Sequence, residues 1–444
     1  MGGVRTVTCM MDCLQCEQTL DGGCTVQGVC GKDPNLDSLQ ETMILGAKGV
    51  SAYAHHAREM GYVDEGVDAT VHETLFHTLT NVNFDMDETV GQALDLGSAA
   101  IDAMELLDQA HVDTLGKPEP AEVPENQVDG KSIVVTGHDL YALKELLEQT
   151  EGEGINVYTH SEMLPAHGYP ELAKYDHLKG NVGEAWFDQR DLFREFPGAI
   201  VGTSNCLMPP VDDYVDRFYT TTVAGLEGAT HIEDGDFAPV IEQAKELPEP
   251  ADDEWNSDET LSTGFYHETV LDLAPQIVEA VEEGKLRHFF VIAGCDAPTD
   301  GRAYYRELAK NVPDDCVVLT TGCGKFRFND LEYGTVPGTD IPRFIDLGQC
   351  NNSISTVKIA QALAEAFDCG VNDLPVSIVL SWFEQKAVAV LLGLFDLGIQ
   401  DVRIGPTIPE WLTDDVVELL NDEFGLQAIG DPEEDLAEML GEPV

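Results

Sequence analysis

The chain has 444 residues, 43% of them apolar and 24% charged, which is long enough for two or three domains and has the balance of a folded globular protein, excluding a disordered chain. Its 82 acidic residues against 24 basic ones give a formal net charge of −58, which argues against nucleic acid and anionic membrane surfaces as partners. The carboxylates are spread along the whole sequence, and repulsion on this scale suits high salt, where charges are screened within about 3 Å at 1 M, so a halophilic source is expected.

The opening residues 1–13 lack the apolar stretch and small-residue cleavage site of a signal peptide. The most apolar run, Val376 to Phe395, carries Glu384 and Lys386 near its middle and reads as soluble core. A cytoplasmic location without a membrane span is therefore expected. In that reducing compartment 11 cysteines, an odd number, are not expected to form structural disulfides, and metal or redox chemistry becomes the leading explanation for them.

Apolar residues at helical spacing over Asn35 to Tyr62, Ala69 to Asn81 and Glu88 to Ala110 predict an all-helical first segment. It ends in DTLGKPEPAEVPENQVDGK, residues 113–131, where three prolines and two glycines among many acids predict a linker. Beyond it, β-rich runs alternate with helical ones: KSIVVTG, LYALKELLEQT, INVYT and GAIVGTS. A second series begins near LDLAPQIVEAVEEG, with strand candidates HFFVIAG, CVVLTTG, PRFIDLG and VSIVLSW. Alternation of this kind implies parallel sheets covered by helices. The expected fold is a helical N-terminal domain, residues 1–125, followed by two Rossmann-like α/β domains with parallel sheets, residues 126–265 and 266–444. Neither series contains a G-x-G-x-x-G fingerprint, so nothing supports a nicotinamide or flavin site.

Two constellations carry chemistry. Cys13, Cys16, Cys24 and Cys30, spaced C-x2-C-x7-C-x5-C, gather four soft ligands suited to zinc or to an iron-sulfur cluster. The compact, uneven spacing with Gly22, Gly23, Gly28 and Gly31 favours something larger than one ion, with zinc and free thiols as the alternatives. The second constellation lies at strand ends. Cys206, Cys295, Cys323 and Cys350 each follow a predicted strand, and so do His138, Glu162 and Glu384. Singly, such a cysteine is more often a small core residue, and such a His or Glu a helix cap. Together they share the crevice beyond the carboxyl ends of strands, where α/β sheets bind ligands. Their mixed softness suits a cluster bridged by both sulfide and oxygen.

The segments CLQCEQT, GVCGK, TLTNVNFD, VTGHDL, EGINVYTHSEMLPAHGYPEL, TSNC, GCD, CGKFRFN, GQCNN, GVNDLPVSIVLSWFEQKA and IGPTIP resemble the hybrid cluster proteins, also called prismane proteins or hydroxylamine reductases, over nearly the whole chain. The resemblance implies a 4Fe-4S cluster on Cys13, Cys16, Cys24 and Cys30. It also implies a hybrid 4Fe-2O-2S cluster between domains, held by His138, Glu162, Cys206, Cys295, Cys323, Cys350 and Glu384, the same seven residues found at strand ends. Cys295, in GCD, would be the persulfide-bearing cysteine, and Cys295 and Glu384 are expected to act in catalysis. The helical part is shorter than in many relatives, as in a form lacking an inserted bundle. Asn352 stands where many relatives have Asp, and Ala297-Pro298 where a Gly is common.

The implied reaction is the two-electron reduction of hydroxylamine to ammonia and water, with electrons from an external donor protein entering at the N-terminal cluster. Nitric oxide reduction, or the handling of nitrosothiols through Cys295, are alternatives. A carbon monoxide dehydrogenase is a weaker option, because no further cluster-binding cysteine set is present. A zinc-stabilised α/β binding protein is the plainest alternative. Cys9, Cys316 and Cys369 are expected as free thiols, and His160, His167 and Lys386 as structural residues more than proton donors.

Overall fold

The computed structural model describes residues 11–19, 21–250 and 259–442, and Cys9 lies outside them. The chain forms two compact units. One combines the residues up to Leu107 with Ser377–Asp431, and the other combines Asp108–Val376 with the segment from Pro432 onward.

The first unit opens with the cysteine-rich segment and continues in helices α1 (Pro34–Glu59), α2 (Glu65–His77) and α3 (Met86–Leu115), the last of which runs on into the second unit. Asp33 starts α1: its carboxylate accepts from the Leu36 N–H at 2.9 Å, and Pro34 takes the first helical position, where no N–H is needed. Leu36, Leu39, Met43, Ala47, Val50, Tyr53 and Ala57 follow at spacings of three and four and are all buried, the pattern of one helical face.

The second unit carries strands β1 (Ala121–Pro124), β2 (Lys131–Thr136), β3 (Ile155–Thr159), β4 (Leu178–Asn181), β5 (Ala199–Gly202), β6 (Phe218–Thr220), β7 (Thr230–His231) and β8 (Thr260–Thr263). Six of these make a parallel sheet in the order β4-β3-β2-β5-β6-β7. Both of its faces are covered. Ile133, Val135, Val157 and Val201 pack with Leu143, Leu146 and Leu147 of helix α4 (Leu140–Thr150), while Val134, Tyr158, Ile200 and Phe218 pack on the opposite side with Phe193, Phe196 and Tyr214. Burial on two faces is why these strands read as unbroken apolar runs rather than as alternation.

The same unit holds β9 (His288–Gly294), β10 (Cys316–Thr320) and β11 (Phe344–Asp346), parallel in the order β11-β10-β9. In the first unit β12 (Val376–Ser381), β13 (Val402–Gly405) and β14 (Gln427–Ala428) are likewise parallel. A helical start followed by parallel, helix-covered sheets agrees with the expected fold class. The expected linker differs from the structure: α3 continues to Leu115, and β1 pairs antiparallel with β8, burying Val123 opposite Leu261. Three prolines mask a four-residue strand that a short ribbon tolerates at its edge. Val376–Phe395 divides into β12 and the helix Gln385–Asp396, and among the described residues no helix is long and apolar enough to cross a membrane.

Candidate metal centre

Six of the seven strand-end residues belong to the second unit. His138 follows β2, Glu162 follows β3, Cys206 follows β5, and Cys295, Cys323 and Cys350 follow β9, β10 and β11. The turns that present them carry unusual backbone. Gly137, before His138, has φ +112°, and a Cβ there would meet Thr203 Oγ1 at 2.5 Å. That close approach lets the His138 N–H donate to Ser204 Oγ at 2.8 Å, and the same hydroxyl lies 3.3 Å from His138 Nδ1. The ring is thereby oriented with Nε2 toward Glu162 Oε2, 3.9 Å away. Gly322, before Cys323, has φ +80°, and its Cβ would collide with the Gly294 carbonyl at 2.6 Å. Cys206 and Ser161 hold left-handed backbone, φ 63° and 54°, without being glycine, so the turns that present Cys206 and Glu162 are strained.

The ligand atoms of His138, Glu162 and Cys350 lie within 4.8 Å of one another. The Cys350 N–H donates to Glu162 Oε2 at 3.3 Å, which ties Cys350 to Glu162 directly. Cys323 joins the same group electrostatically. Its thiol is pushed well above the ordinary range, first by burial and then by the negative charges of Glu162, Cys295, Cys206 and Asp296. The Asp296 N–H donates to Cys323 Sγ at 3.2 Å. Buried thiols facing a buried carboxylate ionise only against a compensating cation, and imidazole, carboxylate and thiolates together form a donor set that takes iron. On this chemistry the residues fit a metal cluster with sulfur, nitrogen and oxygen ligands.

Around these residues stands a ring of buried ion pairs that sequence reading did not single out. Asp296 is fully buried and held by Arg327 Nε at 2.8 Å and by Arg302, whose Nε and Nη2 both lie 3.0 Å from its carboxylate. Arg327 also sits over the Tyr305 ring at 4.3 Å. Lys325 pairs with Asp346 and donates to the Gly348 carbonyl at 2.8 Å. Gln349, 1% exposed, donates to the carbonyls of His138 and Glu162 at 3.0 and 2.8 Å. The one signal in the sequence was position: Asp296, Lys325, Arg327 and Gln349 sit inside GCD, CGKFRFN or GQC with a cysteine already noted, whereas Arg302 and Asp346 lie outside these motifs.

Glu384 belongs to the first unit. It caps the helix Gln385–Asp396, its Oε2 accepting from the Lys386 N–H at 3.1 Å, with Lys386 Nζ 3.7 Å from Oε1. His160 is fully buried, its Nδ1 2.9 Å from Thr136 Oγ1, and burial pushes its pKa down to about 3. His167 Nε2 lies 2.9 Å from Thr159 Oγ1, and burial lowers its pKa to about 4, an effect partly offset by the Gly180 carbonyl. Cys316 is buried within β10, its thiol pushed up to about 12 by burial and then by Asp315.

All four N-terminal cysteines belong to the first unit. Cys13 and Cys24 face each other in an antiparallel bridge, each N–H donating to the other's carbonyl at 3.3 and 3.0 Å. Lys32, buried, points Nζ at Cys13 Sγ from 3.8 Å and pairs with Asp37 at 3.1 Å. The Cys13 thiol is raised, chiefly by burial. A Cβ on Gly28 would sit 3.0 Å from Cys30 Sγ, so the glycine gives that sulfur room it would otherwise have to find by shifting. Four thiols in a glycine-lined loop beside a buried ammonium fit an anionic iron-sulfur cluster.

Parallel α/β units with thiol, imidazole and carboxylate donors converging beyond the strand ends define a metal-cluster enzyme. The sequence profile of the Prismane/CO dehydrogenase family matches residues 11–92 and 85–437, and the chain belongs to this family. A hydroxylamine reductase of Moorella thermoacetica is 55% identical over 432 residues, covering 97% of this chain and 100% of that protein. One of Methanothermobacter thermautotrophicus is 51% identical over the same shares, and one of Maridesulfovibrio salexigens is 48% identical over 92% of this chain and 76% of its own. Among solved structures, carbon monoxide dehydrogenase IV of Carboxydothermus hydrogenoformans superimposes with a TM-score of 0.79 at 15% identity, over 98% of this chain and 92% of that one, a likeness of fold alone.

Proposed function

We propose that this chain is a hydroxylamine reductase that converts hydroxylamine, two electrons and two protons to ammonia and water. The observation that carries the reading is the convergence of His138, Glu162 and Cys350 within 4.8 Å, with the buried Cys323 thiol raised by the charges of Glu162, Cys295 and Cys206 after burial itself. The relatives' shared name supports the same reaction. Cys13, Cys16, Cys24 and Cys30 would hold a 4Fe-4S cluster, and His138, Glu162, Cys206, Cys295, Cys323, Cys350 and, by its WFEQK motif, Glu384 a hybrid 4Fe-2O-2S cluster. When bound, these groups supply the electrons and a Lewis-acidic iron.

The protein's own residues do the rest. Ser204 orients the His138 ring, and the Asp296 and Cys350 N–H groups stabilise negative charge on Cys323 and Glu162. Arg302 and Arg327 pair with Asp296, and Lys325 with Asp346, which fixes these side chains beside the cysteines. Cys295 and Glu384 are the residues assigned to act on substrate. The donor is an external electron-transfer protein, and the setting is a salt-rich cytoplasm, in keeping with the net charge of −58. Anaerobic assay with a reduced viologen in high salt tests the proposal: one ammonia per two electrons is expected from hydroxylamine. Turnover of nitric oxide with none of hydroxylamine would overturn it.

A further inference from the structure

We infer that Gln349 is a positioning residue that sets the mutual geometry of His138, Glu162 and Cys350. The inference rests on the reading of these three as cluster ligands. Its carboxamide commits both amide protons to the backbone carbonyls of ligand residues. Nε2 donates to the His138 carbonyl at 3.0 Å and to the Glu162 carbonyl at 2.8 Å, while the side-chain oxygen accepts from the Asn352 N–H. The Asn352 side chain answers by accepting from the Gln349 N–H at 2.9 Å, so the tie is itself locked in a reciprocal cap. One carboxamide therefore clamps the backbone of two ligand residues and precedes the third. The clamp joins the turns after β2 and β3 to the turn after β11, segments separated by 211 and 187 residues in sequence.

The choice of amide is chemically narrow. A glutamate would set a carboxylate oxygen against two carbonyl oxygens, beside the Glu162 carboxylate. A methionine would keep the volume and leave both buried carbonyls without their donor. Either change lets His138 and Glu162 shift relative to Cys350, and small displacements of ligands cost a metal centre much of its affinity.

The test compares the wild type with Gln349→Met and Gln349→Glu, purified anaerobically as full chains. Iron and sulfide content, electron paramagnetic resonance, midpoint potentials, retention of iron under a chelator and cooperative thermal unfolding are measured. The N-terminal cluster serves as an internal control. Both variants are expected to unfold cooperatively and to keep the N-terminal signal. Their hybrid-cluster signal and potential should shift, and resistance to the chelator should fall by about tenfold or more. Wild-type spectra, potential and iron retention in both variants would overturn the inference. So would equal loss of both clusters with loss of cooperative unfolding, which would make Gln349 a brace of the fold. A wild type lacking any hybrid-cluster signal would instead overturn the reading of the site, and this inference with it.

Discussion

Asp346 accepts from Thr263 Oγ1 at 2.7 Å and from the Gly348 N–H at 2.9 Å, and pairs with Lys325 in a place where both charged groups are essentially sealed from water. Removing one partner of such a pair leaves an uncompensated buried charge, so Lys325→Met should destabilise the protein by about 3–5 kcal/mol in chemical denaturation. Adding Asp346→Asn should recover part of that loss; a double variant as unstable as the single one would contradict the pairing argument. Glu162→Gln keeps shape and loses charge at the centre of the ligand group, and is expected to remove the hybrid-cluster signal while sparing the N-terminal one. Parallel loss of both would refute two independent sites. The ligand candidates were legible because a cysteine, histidine or glutamate just past an apolar run is visible in one dimension. Gln349, Lys325 and Arg327 were not, because a buried polar or cationic group is recognised only by the partner that compensates it. That partner lies 21 residues away for Lys325, and for Gln349 the His138 carbonyl lies 211 residues away.

Elements were legible where both faces are buried. β9 matches HFFVIAG residue for residue, since a parallel strand buried on both faces has no polar alternation to blur its ends. The short edge strands β7 and β14, two residues each, lack any such run, and β1 is hidden among prolines. At the ends of β9 and β10 the backbone comes close enough that Gly322→Ala must move Gly294 or Cys323. Iron content should fall at the hybrid site, and the melting temperature should drop with it; an unaltered melting temperature and full iron would show that the turn yields freely. At the other end of β9, His288 is held neutral: burial lowers its pKa to about 4, and Arg287 adds to the effect. The unfolded chain takes up a proton near pH 6.5 that the folded one refuses until about 4, so the stability His288 contributes is complete above pH 6.5 and lost as pH falls toward 4. Denaturation of wild type against His288→Phe should show their difference moving against the wild type between about pH 7 and about pH 4.5. A constant difference would contradict this.

Across the whole molecule, charge outweighs every other feature of the surface. Among the described residues the buried basic groups, Lys32, Arg217, Lys325, Arg327, Arg343, Lys386 and Arg403, are nearly matched by the buried acids Asp108, Asp139, Glu162, Asp296, Asp346 and Asp435, so almost the whole net charge of −58 falls on the surface. Screening must therefore stabilise the fold, and the melting temperature should climb steeply between about 0.1 and 1 M potassium chloride, over which the Debye length falls from about 10 to 3 Å; a flat profile would contradict a surface adapted to salt. The class of fold was legible from alternation of apolar runs. The composition of the two units was not, since residues 377–431 return to pack with the first hundred. Everything proposed for this protein depends on two chemically different iron centres in one chain. Mössbauer spectroscopy of anaerobically purified, iron-57-enriched protein measures this directly. It should show one four-iron cluster with sulfur-only ligation and a second whose irons include nitrogen- and oxygen-ligated sites, and a single cluster type, or a colourless protein loaded with zinc, would contradict it.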